Sequence, residues 1–337
     1  MKNFMSFALV MLAVVVLLPL LIVKGPGRDK AGPTGSELDW RIRVPEKNIR
    51  IKVYKTGEKK IEEMDLEEYL KGVVAAEMPV DFELEALKAQ AIAARTYAYA
   101  RHEKLYLPND NVHDGADVCT DVHCQAWMSK ESAVKSWGDA GEKNWEKIEK
   151  AVNETQNMVA VYEGKLINPL YHSNSGGRTE NVEDVWATRE VPYLKSVSSR
   201  GEDRGTAEFK NTVTMKNKDF CDKLKKVYPD IKLNEKDVFK EIKILSRSEG
   251  DRVMEITIGN LTLKGVDVRN SLSLKSTNFT IEKASADTLK ITTVGYGHGV
   301  GMSQWGANFM AQSGGDCKEI LKYYYQGIEI KDLHALQ

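Results

Sequence analysis

From Phe4 to Val23 no side chain carries a charge. Wound as a helix, those 20 positions would span roughly 30 Å, the hydrocarbon thickness of a bilayer, which puts everything after them on one side of a membrane. A secretory signal usually has a shorter apolar run followed by small residues at a cleavage site. Here Leu21, Ile22 and Val23 run straight into Lys24, Gly25 and Pro26, so the segment reads as an uncleaved, single-pass transmembrane helix over residues 4–23. Charge does not set its orientation, because Lys2 stands against Lys24, Arg28 and Lys30. Residues 24–38 are Gly, Pro, Ser and charge, a spacer off the membrane surface, and the folded part begins near Trp40.

The 337 residues leave room for two ordinary domains beyond the anchor. Lys and Arg total 48 against 49 Asp and Glu, a balance that argues against a nucleic-acid partner. Four cysteines are too few for a disulfide scaffold. No internal repeat or low-complexity tract interrupts the chain.

Ile49, Ile51 and Val53 alternate with polar residues, the period of a half-buried strand. Asp65 then caps a helix through Leu66, Tyr69, Leu70 and Val73 that ends at Glu77. After Pro79 a stripe of Leu84, Leu87, Ala91, Ala94 and Ala98 predicts a second, buried helix. Met158–Tyr162 and Leu166–Tyr171 read as a hairpin around Glu163, Gly164 and Lys165 that delivers His172 to a strand end. A charged stretch from Arg200 to Lys210 breaks the pattern. Beyond it the sequence predicts a helix near 220–227, strands near 242–245, 253–258 and 289–294, and helices from Ser303 and near 318–325.

The chemistry starts with Glu77. At a helix C-terminus its carboxylate faces the negative end of the dipole, and Val74, Ala75, Ala76 and Met78 offer it little solvation. Both effects favour the protonated form, which a general acid for glycosidic cleavage needs; the alternative is a surface glutamate at a frayed helix end. Lys88 and Arg95, seven apart, project from one face beside the buried stripe. They either pin the chain around a catalytic carboxylate, contact an acidic substrate, or are ordinary solvated charges. Two polar loops follow. Tyr171-His172-Ser173-Asn174-Ser175-Gly176-Gly177 suits a polar ligand surface. Tyr296 to Gly306 alternates glycines around His298 before a helix N-terminus but lacks the context of a dinucleotide fingerprint. Together they suggest two loops meeting.

At these residues the chain resembles the stage II sporulation protein D family, and more widely its amidase-enhancer relatives. The resemblance rests on Ala75-Ala76-Glu77-Met78-Pro79, on Lys88-Ala89-Gln90-Ala91 through Ala94-Arg95-Thr96-Tyr97, on Ser175 to Glu180, and on His298 to Ala307, with Arg269 to Phe279 weaker. It covers nearly everything from residue 45 to 330. It implies a lytic transglycosylase that cuts the bond between N-acetylmuramic acid and N-acetylglucosamine in peptidoglycan, with Glu77 as catalytic acid. One carboxylate suffices for such a reaction, because the sugar's own 6-hydroxyl closes onto the anomeric carbon where a hydrolase would have to position water. Lys88, Arg95, Tyr193 and Lys195 match positions the family uses at or beside its site, and His172, Ser173, Ser175, His298, Ser303 and Gln304 are assigned to binding the glycan.

The expected architecture is α+β and bilobed, with a substrate groove: a catalytic lobe from residues 39–199 plus 290–337 and an inserted α+β lobe at 200–289. The resemblance also implies a setting in the mother-cell membrane, facing the forespore during engulfment, beside an amidase/endopeptidase and a second membrane protein. An organic cofactor is not expected. His113, Cys119, His123 and Cys124 lie within twelve residues and could hold a structural zinc tetrahedrally; a Cys119–Cys124 disulfide is the alternative outside the cytoplasm. Cys221 and Cys317 read as packing residues. A second functional class stays open: a non-catalytic wall-binding module that activates a partner hydrolase.

Overall fold

A computed structural model describes residues 49–105, 115–186, 190–204 and 209–336. The anchor at 4–23, the spacer at 24–38 and His113 lie outside the described residues. Among the described residues no helix is long and apolar enough to cross a membrane. They fall into two compact units, one running to Leu170 and resuming at Ala307, the other Tyr171–Gly306.

The first unit opens with β1 (Arg50–Lys55), in which buried Ile51 and Val53 alternate with polar neighbours, and β2 (Lys60–Asp65), paired antiparallel to it. Asp65 closes that strand and caps α1 (Leu66–Glu77), its side chain accepting from the Glu67 and Glu68 N–H groups. The next helix, α2 (Leu84–His102), is buried on nearly every side, more than the expected stripe. Its alanines keep it thin enough to be packed against from several directions. β3 (Val118–Cys119) runs parallel to β1. Helices α3 (Lys130–Trp137) and α4 (Gly141–Asn153) follow, α3 capped by the Ser129 hydroxyl. The expected hairpin is present as β4 (Met158–Tyr162) and β5 (Lys165–Leu166), turning at Glu163 and Gly164 with φ of 50° and 76°. Its second arm is two residues long and does not extend to Tyr171, because Pro169 has no N–H to give to a ladder.

The second unit begins with β6 (Tyr171–His172) and the short helix α5 (Val182–Trp186). It then builds β7 (Lys210–Lys216), α6 (Asn217–Val227), β8 (Ile242–Arg247), β9 (Val253–Ile258), β10 (Leu261–Lys264), α7 (Gly265–Leu272), β11 (Phe279–Lys283) and β12 (Thr288–Val294). The strands form two antiparallel sheets, ordered β11-β12-β7 and β10-β9-β8. One core joins them to the helices: Phe279, Leu289 and Ile291 from the first sheet, Val253, Ile256 and Ile258 from the second, Phe220 and Leu224 from α6, Val268 and Leu272 from α7. Fully burying such side chains is worth roughly 1.5–3 kcal/mol each. β13 (Met302–Ser303) pairs parallel with β6.

Helix α8 (Gln304–Gln312) carries the chain back to the first unit. There α9 (Cys317–Tyr324) starts from a capping box of Asp316 and Glu319, and β14 (Glu329–Asp332) extends the hairpin to the order β14-β4-β5. The result is the α+β class expected, built from small sheets of at most three strands among the described residues, none closed into a barrel.

Candidate functional site

Glu77 is the last residue of α1 and is half-buried. Its Oε1 accepts the Ala126 N–H at 2.7 Å, so a backbone donor from the segment before α3 fixes the carboxyl group. The turn beyond it is fastened by Lys147 of α4, whose ammonium donates to the Val80 and Phe82 carbonyls at 2.9 and 2.6 Å.

Arg95 is not a solvated charge beside the stripe. Its side chain is fully buried, and it makes a bidentate pair with Glu67 of α1, Nε to Oε1 at 2.8 Å and Nη2 to Oε2 at 2.6 Å. Its remaining donors reach the Val152 and Met158 carbonyls, both at 3.2 Å. A guanidinium so enclosed clamps α2 to the helix that ends in Glu77 and pins geometry from within. Lys88 stays half-buried and is bracketed by Glu85 and Glu154 at 2.7 and 2.5 Å.

Two residues before Ala126, a potential metal centre forms. One ligand atom each from Cys119, His123 and Cys124 lies within 4.8 Å of the others, and both cysteines are free thiols. The Cys119 thiol donates toward Cys124, which holds the Cys124 thiol below its usual value while Cys119 is pushed up to about 12. Two sulfurs and an imidazole this close fit a tetrahedral zinc; a fourth protein ligand would come from His113, outside the described residues.

In the second unit the two polar loops do meet. Asn174 pairs with Tyr296 through both backbone hydrogen bonds, and the Glu180 N–H donates to the Gly299 carbonyl at 2.8 Å. His172 Nδ1 donates to the Val300 carbonyl at 3.1 Å, and His298 Nε2 to that of Tyr171 at 3.0 Å while its Nδ1 accepts from the Val300 N–H. Their ring centroids are 5.4 Å apart. Burial, with His298 and Arg252 nearby, holds His172 well below its ordinary pKa; burial, then Arg269 and Arg252, takes His298 to about 3. Both rings are therefore neutral at pH 7. The glycines make this packing possible: a Cβ at Gly297 would meet His172 Cβ at 2.9 Å, and one at Gly299 the Arg252 guanidinium at 2.6 Å.

Burial corrects the picture of an open polar surface, since His172, Ser175, Ser303 and Gln304 are all at most 5% exposed. What orders the loops is a carboxylate that sequence reading passed over as part of a charged break. Glu202, 1% exposed, accepts from the Ser175 hydroxyl and the Gly176 and Gly177 N–H groups at 2.9 Å, from the Ser199 hydroxyl at 2.7 Å, and from the Ser303 hydroxyl. Arg252, equally buried, donates to the Ser175 and Gly297 carbonyls at 3.1 and 3.0 Å and so ties one loop to the other. Neither residue has a local sequence signal, because each becomes a ligand of the loops through chain folding alone. Ser173 is half-buried, its carbonyl accepting the Trp305 N–H at 3.1 Å. Tyr193 is half-buried, and Lys195 is paired with Glu183 and Glu190 at 2.8 and 2.6 Å. Glu77, Lys88, Arg95 and the thiols thus sit in the first unit, the histidine loops, Tyr193 and Lys195 in the second.

Comparison with known proteins finds likeness along most of the chain. A family model described as stage II sporulation protein covers residues 54–162, and one described as a domain of unknown function, DUF8618, covers 200–301. Stage II sporulation protein D of Bacillus subtilis (strain 168) is 37% identical over 99% of this chain and 97% of its own length. The protein of that name from Bacillus amyloliquefaciens is 37% identical over 94% and 91%. The amidase enhancer of Bacillus subtilis is 29% identical over 77% of this chain but 39% of its own length. With likeness running through both units at that level, the chain belongs to the stage II sporulation protein D family.

Proposed function

We propose that this chain is a peptidoglycan lytic transglycosylase, anchored in the mother-cell membrane by Phe4–Val23, that leaves 1,6-anhydro-N-acetylmuramic acid ends during forespore engulfment. The observation that carries the reading is Glu77: one carboxyl group, half-buried at a helix end and fixed by the Ala126 N–H. The acid proton of this reading is carried by the Glu77 carboxyl group. Glu77 passes it to the glycosidic oxygen as the C1–O bond breaks. The 6-hydroxyl of the same sugar then bonds to C1 and returns its proton to Glu77, so no water is consumed and the acid is regenerated.

Arg95 and Glu67 keep α1 and α2 in register so that the carboxyl group is presented at a fixed place. Cys119, His123 and Cys124, with His113, would hold a structural zinc whose ligation stiffens the segment bearing Ala126. The histidine loops bind glycan together with Tyr193 and Lys195 of the same unit, and Lys88 of the first unit contacts glycan as well. An amidase/endopeptidase and a membrane protein of the engulfment machinery are the proposed partners. The likeness to an amidase enhancer favours a second reading, in which the chain binds wall and activates another hydrolase without cutting. Mass spectrometry of fragments released from sacculi separates the two. Anhydro ends, one water lighter than reducing ends, are expected; release of reducing ends alone, or of nothing, would overturn the reading.

A further inference from the structure

Trp186 ends α5 with 39% of its surface exposed. Isolated exposed apolar side chains are ordinary, but this one is the outer member of a row of rings. Its centroid lies 5.0 Å from that of His298, tilted by 51°, and His298 lies 5.4 Å from His172. Both imidazoles are fixed by backbone partners and neutral, as described above. The start of α5 is fixed too. The Val182 N–H donates to the Leu194 carbonyl at 3.2 Å, Asn181 accepts from the Ser196 N–H at 2.9 Å, and Lys195 ties Glu183. At the far end of the row, His172 Nε2 is buried with no hydrogen-bond partner.

We infer that Trp186 is a stacking platform for a pyranose ring of the glycan, a sugar subsite contained within residues 171–306; the identity of the sugar rests on the function proposed above. A pyranose carries its C–H bonds on one face and its hydroxyl and amide groups at its edge. A flat, apolar indole takes that face while leaving the polar edge free to hydrogen-bond. A uracil-like planar base would stack equally well, but the chain's balanced charge gives no grip on a phosphate backbone. Because the indole packs against His298 and the start of its helix is tied down, little freedom is lost on binding.

The test is binding of a tetramer of β-1,4-linked N-acetylglucosamine to the full-length wild-type chain and to its Trp186→Phe and Trp186→Leu variants, each checked for an unchanged unfolding transition. The phenylalanine variant keeps a ring, and the leucine variant keeps only apolar bulk. We expect Trp186→Phe to bind within about threefold of wild type and Trp186→Leu to bind about tenfold weaker or worse. Equal affinity in all three, or no tetramer binding by the wild type, would overturn the subsite. Failure of the reaction reading is a different result: tetramer binding that depends on the ring, with no anhydro ends released from sacculi.

Discussion

Buried charge decides most of what single residues do here. Arg95 is enclosed and bidentate with Glu67, so Arg95→Met strands a carboxylate. Urea unfolding is expected to show a loss of about 3 kcal/mol or more, and Arg95→Lys recovers little, since an ammonium cannot fill both carboxylate oxygens in the plane of a guanidinium. The neutral histidines give the chain a pH dependence. A His whose folded pKa lies below its unfolded value withholds a proton that the unfolded chain binds, so stability is full above about pH 6.5 and declines as the solution is acidified toward the folded value, about 3 for His298. Unfolding free energy measured at pH 7 and pH 5 is therefore expected to fall less in His298→Gln than in wild type; an equal fall in both would contradict the assignment. The helix-end position of Glu77 and the meeting of the two histidine loops were legible from neighbours in sequence. Glu202 and Arg252 were not, because their value lies in hydrogen-bond partners gathered from distant stretches of the chain.

At the scale of elements, the parts that were legible carry their own boundary signals. Asp65 both ends β2 and caps α1, and Asp65→Ala is expected to cost about 1 kcal/mol in urea unfolding. The apolar spacing of α2 and the Glu163-Gly164 turn of the hairpin were readable for the same reason. Helix α4 was overlooked although Trp145, Ile148 and Val152 share a face, since charged residues fill the positions between them. Strand β7 was overlooked because most of its residues are exposed and no alternation of apolar side chains marks it. In the loops, the left-handed backbone at Gly299, φ 89°, and the guanidinium against it predict that Gly299→Ala lowers the unfolding midpoint and loosens the pairing of His172 with Val300.

For the whole molecule, the described chain packs as two compact units that meet along the sequence at Tyr171 and Gly306. Local composition marks where the pattern changes along the chain, but which segments pack together depends on distant pairings such as β13 with β6. If zinc holds the Cys119, His123 and Cys124 segment, chelation is expected to lower the unfolding midpoint and product release together, with loss of metal confirmed by elemental analysis; turnover lost with the fold unchanged would point to a catalytic metal. The central claim is that the Glu77 carboxyl group delivers the proton that breaks the glycan, and the most direct measurement compares wild type with the nearly isosteric Glu77→Gln on purified sacculi. The account predicts release of anhydromuramoyl fragments at least about 100-fold slower with sacculus binding unchanged; release at the wild-type rate would contradict it.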